Sequence, residues 1–191
     1  ILAGYYAKHM GLPVGTLVCA SNANNVLTDF LSTGTYDRNR PFYQTASPSM
    51  DILISSNLER LLALMEGAGE SVANYMNELA ARGKYTVRPE TAQKIAAEFA
   101  CGFCDDEGTK RTIAKLFSEK DYLLDTHTAV ARNAAESYCE KSGAKNPLVV
   151  VSTASPFKFC QSVLEALGET EFAAGTDIIA QLAKKTGKIA P

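Results

Sequence analysis

Residues 14–34 read VGTLVCASNANNVLTDFLSTG, and this stretch decides the fold class. Its apolar, β-branched start predicts a buried parallel strand that ends near Ala20. The chain then passes through short polar residues into an amphipathic helix that Gly34 ends. A helix over residues 1–11 precedes the strand, and this order of helix, strand and helix is typical of a sheet covered on both faces. We therefore predict an α/β fold with three layers (αβα) and a mostly parallel sheet.

Short polar side chains follow this first strand. Asn22 and Asn25 lie where the strand ends and the helix begins. Open α/β folds bind ligands at the carboxyl ends of their parallel strands. The two amides are therefore candidate ligand contacts.

A longer polar cluster occupies residues 47–60. It surrounds a loop, a predicted strand at residues 50–56 and a helix expected from Asn57 to Met65. Hydroxyl, amide and guanidinium groups of this kind donate to phosphate oxygens. A plain helix start, capped by Ser56 or Asn57, explains part of the same pattern. The candidate contacts are Ser49, Asp51, Ser55, Asn57 and Arg60.

The remaining chain divides by its periodicity. Residues 66–120 predict helices with at most one short strand at 84–87, which indicates a helical insertion outside the sheet. Residues 121–191 return to the α/β pattern, with strands expected at 122–125 and 147–153 and helices at 128–142, 156–168 and 172–187. We therefore predict that the chain divides into three segments, with bounds 1–65, 66–120 and 121–191.

Hydroxyl and carboxylate groups follow the two later strands. Ser152 and Thr153 end the run PLVVVST, so their hydroxyls are expected to point into the ligand crevice, although Thr153 could instead cap the helix at Pro156. Asp125, His127 and Thr128 follow the strand at 122–125. They either border a ligand or cap the helix that begins there.

Composition excludes several classes of function. The 191 residues carry a net charge of −2 with scattered basic residues, which does not favour nucleic-acid binding. No apolar run approaches the roughly 20 residues of a membrane span. The N-terminus lacks the pattern of a secretory signal, so we expect a cytoplasmic protein with no membrane partner.

The five cysteines lack the spacing of a disulfide framework. Cys101 and Cys104 form a C-x-x-C pair, but a redox motif would need a strand before it, and a zinc site would need a second pair. We interpret the cysteines as reduced structural thiols and expect no metal site.

Several stretches together resemble threonine synthase. The resemblance spans nearly the whole chain and rests on CASNANNVLTDF (19–30), TGTYDRNRPF (33–42), TASPSMD (45–51), ISSNLERLL (54–62), YLLDTHTAVA (122–131) and VVVSTASPFKF (149–159). It implies the tryptophan-synthase-β-like fold, pyridoxal 5′-phosphate as cofactor, and the conversion of O-phospho-L-homoserine and water to L-threonine and phosphate. Residues 1–65 would then begin the cofactor domain with its substrate loop, and residues 121–191 would complete it.

The resemblance also implies roles for residues. Thr153, with Ser152 beside it, would bond the pyridine nitrogen of the cofactor. Asp125, His127 and Thr128 would also contact the cofactor. Lys158 lies at a helix start, where a lysine is electrostatically disfavoured, so either a bound anion compensates it or it is simply solvated. The implied substrate contacts are Asn22, Asn25, Ser49, Asp51, Ser55, Asn57, Arg60 and Lys158.

Two positions depart from the family pattern. Ser155 replaces a histidine in the motif T-A-H-P-A-K-F, and Thr126 replaces a proline. The chain also begins inside an expected helix, with no initiator Met. The resemblance therefore implies that the Schiff-base lysine and the phosphate loop belong to an N-terminal part of the same enzyme. No catalytic residue is assigned here, and the chain alone is expected to be inactive. The alternative is a free-standing, non-catalytic α/β module that binds a phosphorylated or amino-acid-like ligand.

Overall fold

The computed structural model describes residues 2–67 and 69–190, so Ile1, Ala68 and Pro191 lie outside the described residues. Short 3-10 turns occur at Pro48–Met50 and Pro156–Phe159. The other elements in chain order are α1 (Leu2–His9), β1 (Leu17–Ser21), α2 (Val26–Thr33), β2 (Thr35–Asp37), α3 (Ser56–Glu66), α4 (Gly69–Arg82), β3 (Lys84–Thr86), α5 (Pro89–Glu98), β4 (Phe99–Phe103), α6 (Asp106–Lys120), α7 (Thr126–Ser142), α8 (Cys160–Ala166) and α9 (Asp177–Thr186).

A parallel pair of strands forms the centre of the fold. β1 pairs with β4 in a register that sets Leu17 opposite Phe99. The two faces of the pair meet different helices, since Cys101 contacts α2 and a Cβ on Gly102 would lie 3.3 Å from that of Ala134 in α7. Helices thus cover both faces, and the predicted α/β class and parallel pairing are confirmed.

A second, antiparallel pair joins β2 to β3. The sequence predicts the short strand at 84–87, which contains β3, but no strand at 35–37, so β2 is an addition to the prediction. The Tyr36 and Tyr85 rings stack across this pair with their centroids 5.4 Å apart. Such stacking stabilises a two-stranded ribbon that is otherwise too small to be stable.

Three predicted strands are wrong in this chain. Residues 50–56, 122–125 and 147–153 run without regular strand structure. A strand needs a neighbour to satisfy its backbone hydrogen bonds, and among the described residues none of these segments has one. In the last segment, Val149 is 83% exposed and Val151 is 70% exposed.

One strand was missed. Phe99–Phe103 continues an alanine-rich helical pattern and lies in a segment predicted to be helical, yet it forms β4 because it pairs with β1. The segment 66–120 therefore contains β3 and β4 as well as helices, and β4 lies in the central sheet. The division of the chain at 65 and 120 stays a prediction.

The apolar core has two clusters. The first surrounds Phe30, Tyr36 and Leu61 and lies among α2 to α5 and the strands. The second surrounds Ile113 and Leu164 and joins α6, α8 and α9 to the start of α7. None of the described helices is long and apolar enough to cross a membrane.

Candidate functional site

Asp125 caps the N-terminus of α7. Its Oδ1 accepts hydrogen bonds from the amides of His127 at 2.9 Å and Thr128 at 3.2 Å. Its Oδ2 accepts a short bond from the Thr128 hydroxyl. Burial acts to raise the pKa of this carboxyl, but the hydrogen bonds from His127 and Thr128 outweigh burial and hold the pKa below its usual value. Asp125 is therefore a buried anion that fixes the start of the helix.

Ser152 and Thr153 lie against this helix start. The Thr153 amide donates to Thr128 Oγ1 at 3.4 Å, and Ser152 Oγ lies 3.4 Å from the same oxygen. Both residues are exposed, whereas Thr128 is buried. Among the described residues the Thr153 hydroxyl has no hydrogen-bond partner. The structure thus brings Ser152 and Thr153 against the helix start that carries Asp125, His127 and Thr128.

His127 connects the same helix start to the loop that carries Ser49. The Ser49 amide donates to His127 Nε2 at 3.2 Å, while Nδ1 lies 3.4 Å from Asp125 Oδ1. A ring nitrogen that accepts a hydrogen bond carries no proton, so the proton of the neutral ring lies on Nδ1. The Phe159 ring packs on the imidazole with a centroid distance of 4.6 Å. Loop and helix therefore meet at one buried histidine.

The loop is held in shape by an amide and carboxylate network. Asn22 Nδ2 donates to Asp51 Oδ1 at 2.7 Å and to Thr45 Oγ1 at 2.8 Å. Asn24 Nδ2 donates to the same Asp51 oxygen at 3.0 Å. The other Asp51 oxygen accepts from the Thr45 amide at 3.0 Å. Asn22 and Asp51, both expected to bind substrate, are thus engaged in positioning the loop that presents Ser49.

Asn25 is engaged elsewhere. Its Oδ1 accepts from Arg40 Nη1 at 3.0 Å, and the same guanidinium pairs with Asp29 at 2.7 Å. The structure therefore ties Asn25 to the start of α2. No hydrogen bond in the described chain links it to the residues around α7.

The start of α3 forms a separate group. Ser55 is the cap, because its hydroxyl accepts from the Leu58 amide at 3.4 Å. The predicted caps Ser56 and Asn57 are wrong, since both lie inside the helix. Arg60 Nη1 lies 3.3 Å from Asn57 Oδ1, and both side chains are exposed. Within the described residues no hydrogen bond joins this group to the α7 site.

Ser155 takes the helix-capping role that the sequence left open for Thr153. Its hydroxyl accepts from the Phe157 amide at 3.3 Å and caps the 3-10 turn. The prediction that Thr153 might be this cap is therefore wrong. Lys158, in the same turn, is exposed and lines an open cavity of about 340 Å³ beside the start of α9.

Sequence reasoning missed Asn24, Thr45 and Phe159. The first two hold the loop, and the third packs on His127. Asn24 and Thr45 lie in the polar stretches that signalled the site, but their partners are 27 and 6 residues away along the chain. Local patterning does not show such pairings. No group of three metal-ligating side chains occurs in the described part of the chain.

Solved structures define the class of fold. The chain superposes on a pyridoxal-phosphate-bound threonine synthase from Brucella melitensis with a TM-score of 0.82 and 38% identity, over 94% of this chain and 38% of that one. The superposition on yeast threonine synthase has a TM-score of 0.84 and 36% identity. It covers 96% of this chain and 40% of the yeast one. The fold is thus the α/β fold of pyridoxal-phosphate enzymes of the tryptophan-synthase-β-like class, as expected.

Sequence comparisons show which proteins the chain resembles. Residues 128–189 match the model of the threonine synthase C-terminal domain. Threonine synthase of Saccharomyces cerevisiae is 39% identical over 97% of this chain and 39% of its own length. Threonine synthase-like 1 of Pongo abelii is 41% identical over 87% of this chain and 22% of its own length. The resemblance predicted from the sequence is confirmed, and the chain is similar, over nearly its whole length, to the C-terminal part of threonine synthases. It spans less than half of each of these relatives.

Proposed function

We propose that this chain forms one wall of a threonine synthase active site that converts O-phospho-L-homoserine and water to L-threonine and phosphate with pyridoxal 5′-phosphate. The observation that carries the proposal is the cluster at the start of α7, where Thr128 contacts the exposed residues 152–153 and the adjacent His127 contacts the loop of Ser49. Three stretches that the sequence marked independently as ligand-binding thus come together at one place.

The residues of this cluster fit the cofactor. The Thr153 hydroxyl is exposed and lacks a partner in the described chain, so it is available to the pyridine nitrogen, with Ser152 beside it. A neutral hydroxyl leaves that nitrogen without a full positive charge. When bound, pyridoxal phosphate would supply the electron sink for negative charge at the substrate Cα.

The buried residues have a positioning role in this proposal. Asp125 holds the Thr128 hydroxyl, and Thr128 accepts from the Thr153 amide. This relay fixes the backbone that presents Ser152 and Thr153. His127 fixes the amide of Ser49 in the same way. Asp125, His127 and Thr128 would therefore act on the cofactor mainly through the groups that they hold.

Exposed donors would hold the substrate phosphate. Ser49 presents its hydroxyl from the fixed loop, and Arg60 and Lys158 are exposed cations. Among the described residues the Arg60 side chain makes one hydrogen bond, to the neutral Asn57 amide, and no ion pair, so its charge is available to an anion. A guanidinium offers two parallel donors to a phosphate, and such bonds are stronger than those between neutral groups.

A second part of the same enzyme would complete the site. The run at 148–151 exposes large apolar side chains, and residues of this kind are normally covered. The relatives carry additional polypeptide outside the matched region. The proposed partner is therefore the N-terminal part of the enzyme, which would also supply the Schiff-base lysine. The chain alone would be inactive.

The test is phosphate release from O-phospho-L-homoserine by the protein that carries this chain, with and without pyridoxal phosphate. Arg60→Ala should weaken the binding of O-phospho-L-homoserine by about 1.5–3 kcal/mol and leave the binding of unphosphorylated amino acids unchanged. Arg82→Ala, at another exposed arginine, is the matched control. Absence of phosphate release by the parent protein would reject the function. Equal weakening of both ligand classes by Arg60→Ala would show that Arg60 is structural.

A further inference from the structure

Two cysteines lie directly opposite each other in the central sheet. The register of the parallel pair sets Cys19 in β1 against Cys101 in β4. Opposed residues of neighbouring strands have Cα atoms about 4.8 Å apart, and disulfides bridge Cα separations of about 4.4–6.8 Å. Residues in register also point to the same face, which here is the face covered by α2.

The C-x-x-C motif does not form this pair. Cys101 lies within β4, whereas Cys104 follows the end of that strand, and the two thiols contact different helices. Cys101 Sγ donates to the Thr28 carbonyl at 3.4 Å, on the α2 side. Cys104 Sγ lies 3.6 Å from Thr109 Oγ1, in α6. The cysteines that are close in sequence are thus separated by the sheet, and those distant in sequence are neighbours.

The two opposed thiols differ in access. Cys19 is buried, and burial raises the pKa of its thiol to about 11, with the neighbouring Cys101 adding to the shift. Cys101 is half-buried, and its sulfur lies 3.2 Å from the hydroxyl of the exposed Ser32. Ser32 also lines an open groove of about 240 Å³ between α2 and α5. Cys101 is therefore the more accessible of the two thiols.

We propose that Cys19 and Cys101 form a redox modification site that a peroxide closes to a disulfide. The Cys101 sulfur attacks one peroxide oxygen, the O–O bond breaks, and a sulfenic acid and one water form. The Cys19 sulfur then attacks the Cys101 sulfur, the S–S bond forms, and the second water leaves with the Cys19 proton. Two thiols are oxidised and one peroxide is reduced to two waters. A dithiol such as dithiothreitol reverses the reaction by exchange.

This site lies directly below the polar network. β1 ends two residues after Cys19, and the next residue, Asn22, enters the loop contacts. A bond between the strands would draw together the two backbones that support this loop. The covalent step itself depends only on the sheet register and does not rest on the proposed function.

The experiment treats the purified, reduced protein that carries this chain with hydrogen peroxide and maps its peptides by mass spectrometry. The expected product links Cys19 to Cys101, lacks two hydrogens and disappears on treatment with dithiothreitol. Cys101→Ser should abolish it, and Cys19→Ala should leave Cys101 carrying added oxygen. Cys104→Ser is the matched control and should retain the link, which also separates Cys101 from Cys104 within their shared peptide.

Peptide mapping of the unsubstituted protein gives a result that does not depend on how the variants fold. A disulfide through Cys104, Cys139 or Cys160 in place of Cys101 would overturn the proposal. So would oxygen addition at Cys101 without any link to Cys19.

Discussion

Two apolar, β-branched runs in this chain look alike in sequence and differ in structure. Leu17–Ser21 pairs with Phe99–Phe103 and forms a strand between two helices. The run at 148–151 forms no strand in the described chain, and Val149 and Val151 are exposed. The difference teaches that β-propensity makes a segment able to form a strand, whereas the strand forms only beside a neighbour with which it pairs.

The polar residues that follow the two runs differ in the same way. Asn22 follows the paired strand, and its side chain is 1% exposed and occupied by hydrogen bonds to Thr45 and Asp51. Ser152 and Thr153 end the unpaired run and are exposed. The first group therefore shapes the site, and the second group is free to contact a ligand.

The largest expected effect contrasts the two runs by truncation of one side chain in each. Phe99→Ala should lower the free energy of unfolding of this chain by about 3–5 kcal/mol, because the ring is buried beside β1. Val149→Ala should change it by no more than about 0.5 kcal/mol, because an exposed side chain loses no packing. Urea denaturation followed by circular dichroism measures both. Similar losses at the two positions would show that residues 148–151 are already packed in this chain.

A smaller effect is expected at the helix start that holds the second run. Asp125→Ala should lower the free energy of unfolding by about 1–3 kcal/mol, because it removes the helix cap and leaves two amides and a hydroxyl without their acceptor. The folded-state pKa of Asp125 is depressed, so its contribution to stability is complete above the ordinary pKa of an aspartate. It is lost as the pH falls through the folded-state value.

Asp125→Asn isolates that titration, since the amide oxygen still accepts but does not ionise. The pKa of Glu66 is depressed as well, so Glu66 also loses its contribution to stability in acid. Because both proteins carry Glu66, this loss does not enter the difference between them. The difference in unfolding free energy between the parent and Asp125→Asn should therefore stay constant above the ordinary pKa of an aspartate and shrink over the acid range below it. A difference that stays constant over this range would contradict the role of the Asp125 carboxylate.

The smallest effect on the stability of this chain is expected for a substitution at Val149, and it should become larger when the proposed N-terminal part of the enzyme is present. Val149→Lys should change the stability of the chain itself by no more than about 0.5 kcal/mol. In the complete protein the same lysine would be buried against a neighbouring strand, and the loss should be several-fold larger. Val149→Ile, which keeps the shape and the apolar surface, is the control. Equal effects of Val149→Lys in both forms would show that the run stays uncovered.

Much of the fold was predictable because it depends on local patterns. The helices follow the apolar periodicity, and β1 and α2 follow the stretch at 14–34. The errors concern pairing. Residues 147–153 have strand propensity but no partner in the described chain, and Phe99–Phe103 has a helical pattern but pairs with β1. A single sequence contains no direct record of which segments meet.

The candidate site was predictable to a similar extent. The strand-end rule selected Ser152, Thr153 and Asp125 as candidates, and these residues lie together although the segments before them form no strands. It did not separate ligand-facing groups from supporting ones, because burial depends on tertiary contacts. Asn22 and Asp51 are the clearest cases, since each is occupied within the loop network. At Ser155 the structure explains a departure from the family pattern, because its hydroxyl caps the 3-10 turn that follows.

The most direct test of the account is Thr153→Val in the complete protein. Valine keeps the shape of the side chain and removes the hydroxyl proposed to bond the pyridine nitrogen. Because Ser155 caps the following turn, the melting temperature should not change, while turnover should fall and the kinetic isotope effect of deuterium at the substrate Cα should increase. Thr153→Ser, which keeps the hydroxyl, should behave as the parent. A lower melting temperature with unchanged kinetics would contradict the assignment of Thr153 to the cofactor.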